Sequence, residues 1–164
     1  MSAVAQAPSP RLAAAWDALA AVLDPEVPAL TLVDLGIVRG LEETADGVAV
    51  VLTPTYSGCP ATEAIEADVR AALAPFGRVS VTLQRAPAWT TDWISADGRR
   101  KLRDYGIAPP GPASEAVLRF HPRVACPRCA ATQTERLSAF GSTACKSLYR
   151  CRACGEPFEY FKPI

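Results

Sequence analysis

The sequence lacks the features that mark a secreted, membrane-spanning or strongly charged protein. Over 164 residues it has no apolar run approaching the length of a membrane span, and residues 1–10 have neither the basic start nor the apolar stretch of a signal peptide. Lysine plus arginine number 17, as do aspartate plus glutamate, so the overall charge favours no class of partner. We therefore expect a cytoplasmic protein that makes no membrane contact. Its six cysteines should be reduced, which favours metal or redox chemistry over disulfides.

The common signatures of catalysis are missing as well. The chain has one histidine, His121, which precedes a proline and offers no Ser-His-Asp triad. It has no Gly-rich dinucleotide-binding fingerprint, no Glu-x-x-His helix pair of the di-iron kind, and no C-x4-C-x2-C run of a plant-type [2Fe–2S] protein. We expect His121 to have no catalytic role and the protein not to be an enzyme by itself.

Two CxxC pairs stand near the end of the chain. Cys126 and Cys129 form the first, Cys151 and Cys154 the second, and 21 residues separate them. Four thiolates make the closed tetrahedral shell that structural zinc prefers, so we predict Zn²⁺ here, supplying folding energy to a module with little core of its own. Iron in the same geometry, or a cluster, is left open. Cys145, the odd thiol, either packs in the ribbon hairpin or serves as an alternate ligand.

Another thiol, Cys59, stands between a predicted buried strand at 48–52 and a predicted helix at 61–73. Pro60 suits the first helical position, which would place Cys59 at the N-cap, beside unpaired backbone N–H groups and the positive end of the helix dipole. Both favour the thiolate, the form that binds metal or attacks electrophiles. The residues leave open whether Cys59 is such a reactive thiol or a small packed hydrophobe.

Two acidic residues, Asp24 and Glu26, follow the first predicted helix, whose N-cap is predicted at Ser9. Pro25 and Pro28 prevent that helix from continuing, so both carboxylates are expected on a stiff, non-helical turn. From the residues alone, the expected interpretation is an exposed acidic turn.

The remaining patterns before residue 109 indicate an α+β domain. Strands are predicted over 37–43, 48–52 and 79–83, the first two joined by a hairpin at Asp46-Gly47. A loop with two tryptophans follows, which either covers an edge of the core or forms a recognition wall for a partner. Its candidate partner-binding residues are Trp89, Thr90, Thr91, Asp92 and Trp93.

A proline-rich linker at 109–112 divides the chain. We predict a disordered tail at 1–10, a first domain at 11–112 that ends in the linker, and a four-cysteine ribbon at 113–164. Residues 1–112 carry 9 basic and 13 acidic side chains, and residues 113–164 carry 8 and 4, for net charges of −4 and +4. Such a split favours docking of the two parts on each other, or on a partner of opposite charge.

At Asp24-Pro25-Glu26 and Ser57-Gly58-Cys59-Pro60 the sequence resembles the SufT-like family of small iron–sulfur assembly proteins. The loop at 86–94, the stretch at 106–110 and the four-cysteine ribbon make it similar, within that group, to the D proteins of phenylacetyl-CoA epoxidase. The resemblance covers about residues 16–161. It implies an α+β fold with helices on a small mixed sheet, followed by a rubredoxin-like zinc ribbon.

The resemblance also implies a function. We predict an accessory or maturation factor for the phenylacetyl-CoA epoxidase complex of aerobic phenylacetate degradation, which assists insertion of iron or a [2Fe–2S] cluster into the reductase or oxygenase. Cys59 would offer its thiolate to the transient iron or cluster, and Asp24 and Glu26 would orient it or complete the ligand set. The ribbon and the tryptophan loop would hold the client, above all the iron–sulfur flavin reductase. A homodimer is left open.

Three alternatives remain at this point. The chain could be a non-catalytic structural subunit of the oxygenase complex, with Cys59 merely buried. It could be a nucleic-acid-binding zinc ribbon that uses its arginines, a partner we do not expect and one that requires strongly salt-dependent binding. An enzyme with Cys59 as nucleophile is the least favoured, because no general base is near it in sequence.

Overall fold

The computed structural model describes most of the chain, namely residues 9–56, 58, 60–116 and 123–164. Cys59 and His121 therefore lie outside the described residues, as do residues 1–8 of the predicted tail. None of the described helices combines the length and the apolar character needed to cross a bilayer.

The first helix, α1, spans Pro10–Ala20 and begins where the sequence predicts. Ser9 is its N-cap: the Ser9 hydroxyl accepts a hydrogen bond from the backbone N–H of Leu12 at 3.0 Å. Pro10 occupies the first helical position, where a backbone donor is not needed. Ser9 and Pro10 are thus part of an ordered helix start, and the predicted boundary of the tail at residue 10 is too late.

Three strands form the first sheet, β1 (Val38–Glu43), β2 (Gly47–Leu52) and β3 (Arg78–Leu83), in the order β1-β2-β3. β1 and β2 are antiparallel, whereas β2 and β3 are parallel, and helix α2 (Thr62–Leu73) connects the parallel pair. The predicted α+β fold with a small mixed sheet is therefore confirmed. The core-facing side chains of the central strand are Val48, Val50 and Leu52, which are almost fully buried.

Helix α2 begins later than the sequence predicts. Its N-cap is Ala61, whose carbonyl accepts the first i→i−4 hydrogen bond from the N–H of Ile65 at 2.9 Å. Pro60 precedes this cap instead of occupying the first helical position. The prediction that the helix is capped at residue 59 is accordingly wrong, because its N-cap is Ala61.

Helix α3 spans Ala96–Asp104, and the hydroxyl of its N-cap, Ser95, accepts a hydrogen bond from the N–H of Gly98 at 2.9 Å. The two-residue strand β4 (Ile107–Ala108) and the short helix α4 (Ala113–Ala116) follow on either side of the proline-rich linker.

The second sheet contains β5 (Thr134–Ser138), β6 (Lys146–Cys151) and β7 (Pro157–Phe161) with β4, in the order β4-β7-β6-β5. β5, β6 and β7 are antiparallel neighbours, but β4 joins β7 in parallel. A strand that precedes the linker therefore completes the sheet that follows it.

Side chains also connect the two parts. Phe161 and Cys145 belong to the same buried cluster as the core of the first sheet, and the rings of Trp89 and Phe161 lie 6.3 Å apart. At the chain end, the Thr90 hydroxyl donates to the Ile164 carbonyl at 2.8 Å. The second sheet is consequently packed onto the first part of the chain, which places residues of β6 near the acidic turn.

Candidate functional site

The acidic turn is a built structure rather than an exposed loop. The backbone N–H groups of Glu26 and Val27 donate to Asp24 Oδ1 at 2.9 and 2.7 Å, while the Asp24 N–H donates to the Leu30 carbonyl at 2.9 Å. Asp24 is 6% exposed, so the interpretation of this turn as simply solvated is wrong for that residue. Among the described residues, none donates a hydrogen bond to Asp24 Oδ2, which leaves this oxygen available to a ligand.

The pKa values of both carboxyl groups are raised, and burial is the largest cause. Burial raises the pKa of Asp24 above its ordinary value, and the Val27 and Glu26 N–H groups and the Lys146 charge oppose part of that rise. Burial and then the Asp24 charge raise the pKa of Glu26, again opposed by Lys146. A metal ion bound here would act in the same direction as the Lys146 charge, because a nearby positive charge favours the ionised form of a carboxyl group.

A small cavity brings the acidic turn to the loop that contains Cys59. The cavity measures about 20 Å³, enough for roughly one water-sized occupant. Asp24 and Glu26 line it together with Pro54 and Thr55, which precede Cys59 in the chain, and Thr62, which follows it. The turn and both described flanks of the loop thus share one cavity, although Cys59 itself lies outside the described residues.

Strand β6 adds a cation to this region. Lys146 is 3% exposed, and its Nζ lies 3.1 Å from Glu159 Oε2 on β7. The same ammonium group acts electrostatically on Asp24 and Glu26. A buried lysine of the second sheet therefore balances the acids of the first part.

Cys145 precedes Lys146 and is also buried. Its Sγ lies 3.0 Å from the Thr143 hydroxyl, and its carbonyl accepts from the Lys162 N–H at 2.9 Å. Burial raises the pKa of the Cys145 thiol, which the Thr143 hydroxyl opposes and the nearby Glu26 charge augments. Its surroundings are those of a packed neutral thiol beside the acidic turn, and Cys145 is not one of the four clustered thiols described below.

The other four cysteines of the second part converge on one point. The Sγ atoms of Cys126, Cys129, Cys151 and Cys154 all lie within 4.8 Å of one another. Two of the separations are 3.8 Å, between Cys126 and Cys154, and 3.6 Å, between Cys129 and Cys151. Four Zn–S bonds of about 2.3 Å at tetrahedral angles would put sulfurs about 3.8 Å apart, so the residues fit a zinc ion.

Backbone donors support the same assignment. The N–H groups of Cys154 and Ala153 point at Cys151 Sγ and lower the pKa of that thiol to about 7. Such N–H···S bonds stabilise the thiolate, the form that binds a metal. Each knuckle also closes on itself, since Ala130 N–H donates to the Cys126 carbonyl at 2.9 Å and Gly155 N–H to the Cys151 carbonyl at 3.0 Å.

The tryptophan loop is largely internal. Trp89 is 3% exposed and donates its indole N–H to the Leu35 carbonyl at 2.8 Å, and Thr91 is fully buried. Asp92 Oδ1 accepts from the Ala113 N–H at 3.0 Å, and the Arg39 guanidinium lies 3.8 Å from the Trp93 ring centre. The loop joins the core to the chain end and to α4, as expected of a loop that covers a core edge, and Trp89 and Thr91 offer little surface to a partner.

Lys146 and Glu159 were missed by the sequence reasoning. A lysine at the start of a strand and a glutamate within another carry no local signal of burial, because their contact depends on how the second sheet packs against the first part. The position of Cys145 beside Glu26 could not be predicted for the same reason, because it also depends on how the second sheet packs against the first part.

Comparison with protein families identifies two segments. Residues 12–83 match the model described as iron-sulfur cluster assembly protein, which spans α1 to β3 and contains the acidic turn. Residues 110–162 match the model described as PaaD zinc beta ribbon domain, which contains the four-cysteine cluster. The second match and the sulfur geometry together support zinc binding by this cluster.

Individual relatives agree with these matches. The chain is 49% identical, over the full length of both proteins, to an Escherichia coli (strain K12) protein that is provisionally named as the D component of 1,2-phenylacetyl-CoA epoxidase. It is 34% identical over 88 residues, 51% of this chain and 83% of the other, to an Fe-S protein maturation auxiliary factor of Porphyromonas gingivalis.

A solved structure, the DUF59 domain of unknown function from Bacillus anthracis, shares 26% identity with a TM-score of 0.52 over 56% of this chain and 91% of that one. These similarities agree with the mixed sheet and the four-cysteine ribbon of this chain. The chain therefore belongs to the PaaD family, the D components of 1,2-phenylacetyl-CoA epoxidase, in which an iron–sulfur cluster assembly domain is joined to a zinc ribbon.

Proposed function

We propose that the protein is an accessory factor of phenylacetate degradation that helps insert iron into the phenylacetyl-CoA epoxidase complex. The name of the Escherichia coli relative supports the complex, and the assembly-protein match together with the maturation factor of Porphyromonas gingivalis supports the role. The observation that carries the proposal is the shared cavity, where Asp24 and Glu26 face both described flanks of the Cys59 loop.

We assign different roles to the two thiol sites because they differ in the number of thiolates: four in the ribbon and one at Cys59. The four ribbon thiolates enclose an ion on all sides, which suits a resident structural zinc and opposes release. A single thiolate, that of Cys59, with the carboxylates of Asp24 and Glu26 would hold iron less tightly, as a transfer site requires. The described residues leave about 20 Å³ between them, which is enough for a single ion.

The proposed client is the iron–sulfur flavin reductase of the complex. The experiment is to produce the reductase in cells that lack this protein and to restore the gene as wild type, Cys59→Ser, Asp24→Asn or Asp68→Asn. Asn at 24 keeps an oxygen that can accept the two turn N–H bonds but removes the charge. Asp68 is exposed on α2, outside the cavity, and its replacement serves as the matched control.

We expect the wild type and Asp68→Asn to give reductase with a full [2Fe–2S] content, and the other two variants to give severalfold less. Reductase that is fully loaded in the Cys59→Ser cells would end the proposal. The purified protein itself should be colourless, with one zinc per chain and no acid-labile sulfide.

A structural-subunit role is the second candidate, favoured by the name of the Escherichia coli relative, which calls that protein a subunit of the epoxidase. It predicts co-purification with the epoxidase in fixed stoichiometry and a reductase whose cluster content does not depend on Cys59.

A further inference from the structure

A groove between the proline-rich linker and the ribbon has no part in the function proposed above. It measures about 520 Å³. The linker residues 109–112 form one wall and residues 123–127 the other, while Tyr149 and Tyr160 of the second sheet line it between them. Because the groove joins the linker to the ribbon, it belongs to the part of the chain that sets this family apart from a lone assembly domain.

The charge of the groove has a single sign. Four cationic side chains line it, those of Arg103, Arg123, Arg136 and Lys162, and no aspartate or glutamate is found among its described lining residues. No ion pair between described residues includes any of the four.

Three arginines of the ribbon that do not line the groove, in contrast, form ion pairs with glutamates. Arg150 and Arg152 both pair with Glu135, and Arg128 pairs with Glu156. Lys162, at the groove, instead donates to the Ala139 carbonyl at 3.2 Å. The positive charge around the groove is therefore uncompensated within the described part of the chain, and an anionic ligand would neutralise it.

The interior of the groove is mostly apolar, but it contains the hydroxyl groups of Ser147 and Tyr149. Tyr149 is 5% exposed and Ser147 2% exposed, and both line the groove. Neither hydroxyl has a hydrogen-bond partner among the described residues, so both can bond to water or to an occupant of the groove. Val124 and the linker prolines supply apolar surface around them. An occupant with apolar side chains and exposed backbone would fill this space and satisfy both hydroxyls.

The walls of the groove are held in place. Arg99 donates to the Pro110 carbonyl and to the Thr91 carbonyl, so the linker is fixed against α3 and the tryptophan loop. Ala108 pairs with Tyr160 in the second sheet. A groove with fixed walls loses little conformational entropy when it binds.

We propose that this groove binds an acidic, partly apolar peptide segment of a protein partner. Its four cations surround an apolar centre, which fits a peptide that alternates carboxylates with aliphatic or aromatic side chains. A phosphate-rich ligand would leave that centre unfilled. The chemistry of the occupant follows from the groove alone, and only its identification with a segment of an epoxidase component rests on the proposed function.

The test uses the full zinc-loaded chain and a phage-displayed library of random 12-residue peptides. We expect the selected peptides to carry acidic residues next to aliphatic or aromatic ones. A selected peptide labelled with fluorescein should bind Arg136→Glu and Arg103→Glu at least tenfold more weakly in anisotropy titrations. Arg85→Glu, which reverses an exposed arginine outside the groove, should stay within twofold. Binding should shift the backbone amide signals of Gly111, Ser147 and Tyr149.

Several results would overturn the proposal. The selection could yield no peptide, or only peptides without acidic residues. Arg136→Glu could bind the peptide as tightly as the wild type, or Arg85→Glu could lose as much affinity as the groove variants. Micromolar coenzyme A could displace the peptide, which would indicate a nucleotide thioester site. Peptide binding by the groove combined with full reductase loading in Cys59→Ser cells would remove the proposed function but leave the groove assignment intact.

Discussion

Replacing Lys146 with methionine would remove the buried cation that joins the second sheet to the acidic turn. Methionine keeps much of the length and apolar stem of lysine, so the change acts mainly on charge. Glu159 would lose the partner that lies 3.1 Å away, and Asp24 and Glu26 would lose the positive charge that opposes the rise in their pKa.

The size of the effect can be worked from the burial of the pair. Removing one partner of a buried ion pair costs about 3–5 kcal/mol, because the other charge remains buried without compensation. The Lys146 side chain is 4% exposed, but that of Glu159 is 22% exposed and keeps its hydrogen bonds from the Ser142 N–H and hydroxyl. We therefore expect the lower end, about 3 kcal/mol.

A double-mutant cycle separates this charge effect from lost packing. Lys146→Met with Glu159→Gln removes both charges and should recover at least half of the loss, because a buried pair replaced by neutral groups is often close to neutral in stability. The control is Arg78→Met, which breaks an exposed contact of 3.8 Å with Asp46 and should cost within about 0.5 kcal/mol.

The assay is urea unfolding of the zinc-loaded protein, followed by tryptophan fluorescence with a fixed m-value. A loss below about 1 kcal/mol for Lys146→Met, or a double variant no more stable than the single one, would refute the view that Lys146 compensates buried carboxylates.

Three further predictions follow from the contacts. Cys151→Ser should lose the zinc, as measured by elemental analysis. Trp89 should become exposed as β7 detaches, which would shift the tryptophan emission to the red. Retention of one zinc per chain would contradict the assignment of Cys151 as a zinc ligand. Cys145→Ala should keep that zinc and lose about 1–2 kcal/mol of stability, since it leaves a small cavity, whereas loss of metal would make Cys145 a ligand. Burial alone would raise the pKa of Asp34, but hydrogen bonds from Lys101 and Thr31 give it a net lowered pKa. The ionised Asp34 therefore stabilises the folded protein above the unfolded pKa of about 4, and this contribution is lost as the pH falls through the folded pKa. Asp34→Asn should thus be less stable than the wild type at pH 7, with a gap that closes below about pH 4, while the exposed Asp17→Asn shows no such gap.

Local patterns predicted most of the first sheet. The Ser9-Pro10 helix start, the Asp46-Gly47 hairpin and the alternation at Val79, Val81 and Leu83 depend on residues close in sequence, and each element formed where expected. The four ribbon cysteines are also set by spacing, since each CxxC knuckle is closed by its own backbone hydrogen bonds.

Features that depend on contacts between distant segments could not be predicted this way. Pairing of β4 with β7 across the linker and the approach of Lys146 to the acidic turn both depend on how the second sheet packs against the first part. The start of α2 was misplaced for a local reason, because Pro60 fits the turn before a helix as well as its first position.

The most direct test of the proposed transfer site is iron transfer in vitro. Apo-reductase would be incubated anaerobically with ferric iron, sulfide and thiol, so that two Fe³⁺ and two S²⁻ give the oxidised cluster, and [2Fe–2S] formation followed by visible circular dichroism, with zinc-loaded wild type, Cys59→Ser or Asp24→Asn added. If Cys59 and Asp24 hold the iron, wild type should accelerate cluster formation severalfold, and both variants should leave the rate at that of the reaction without added protein. Equal acceleration by wild type and Cys59→Ser would contradict a role for that thiol in transfer.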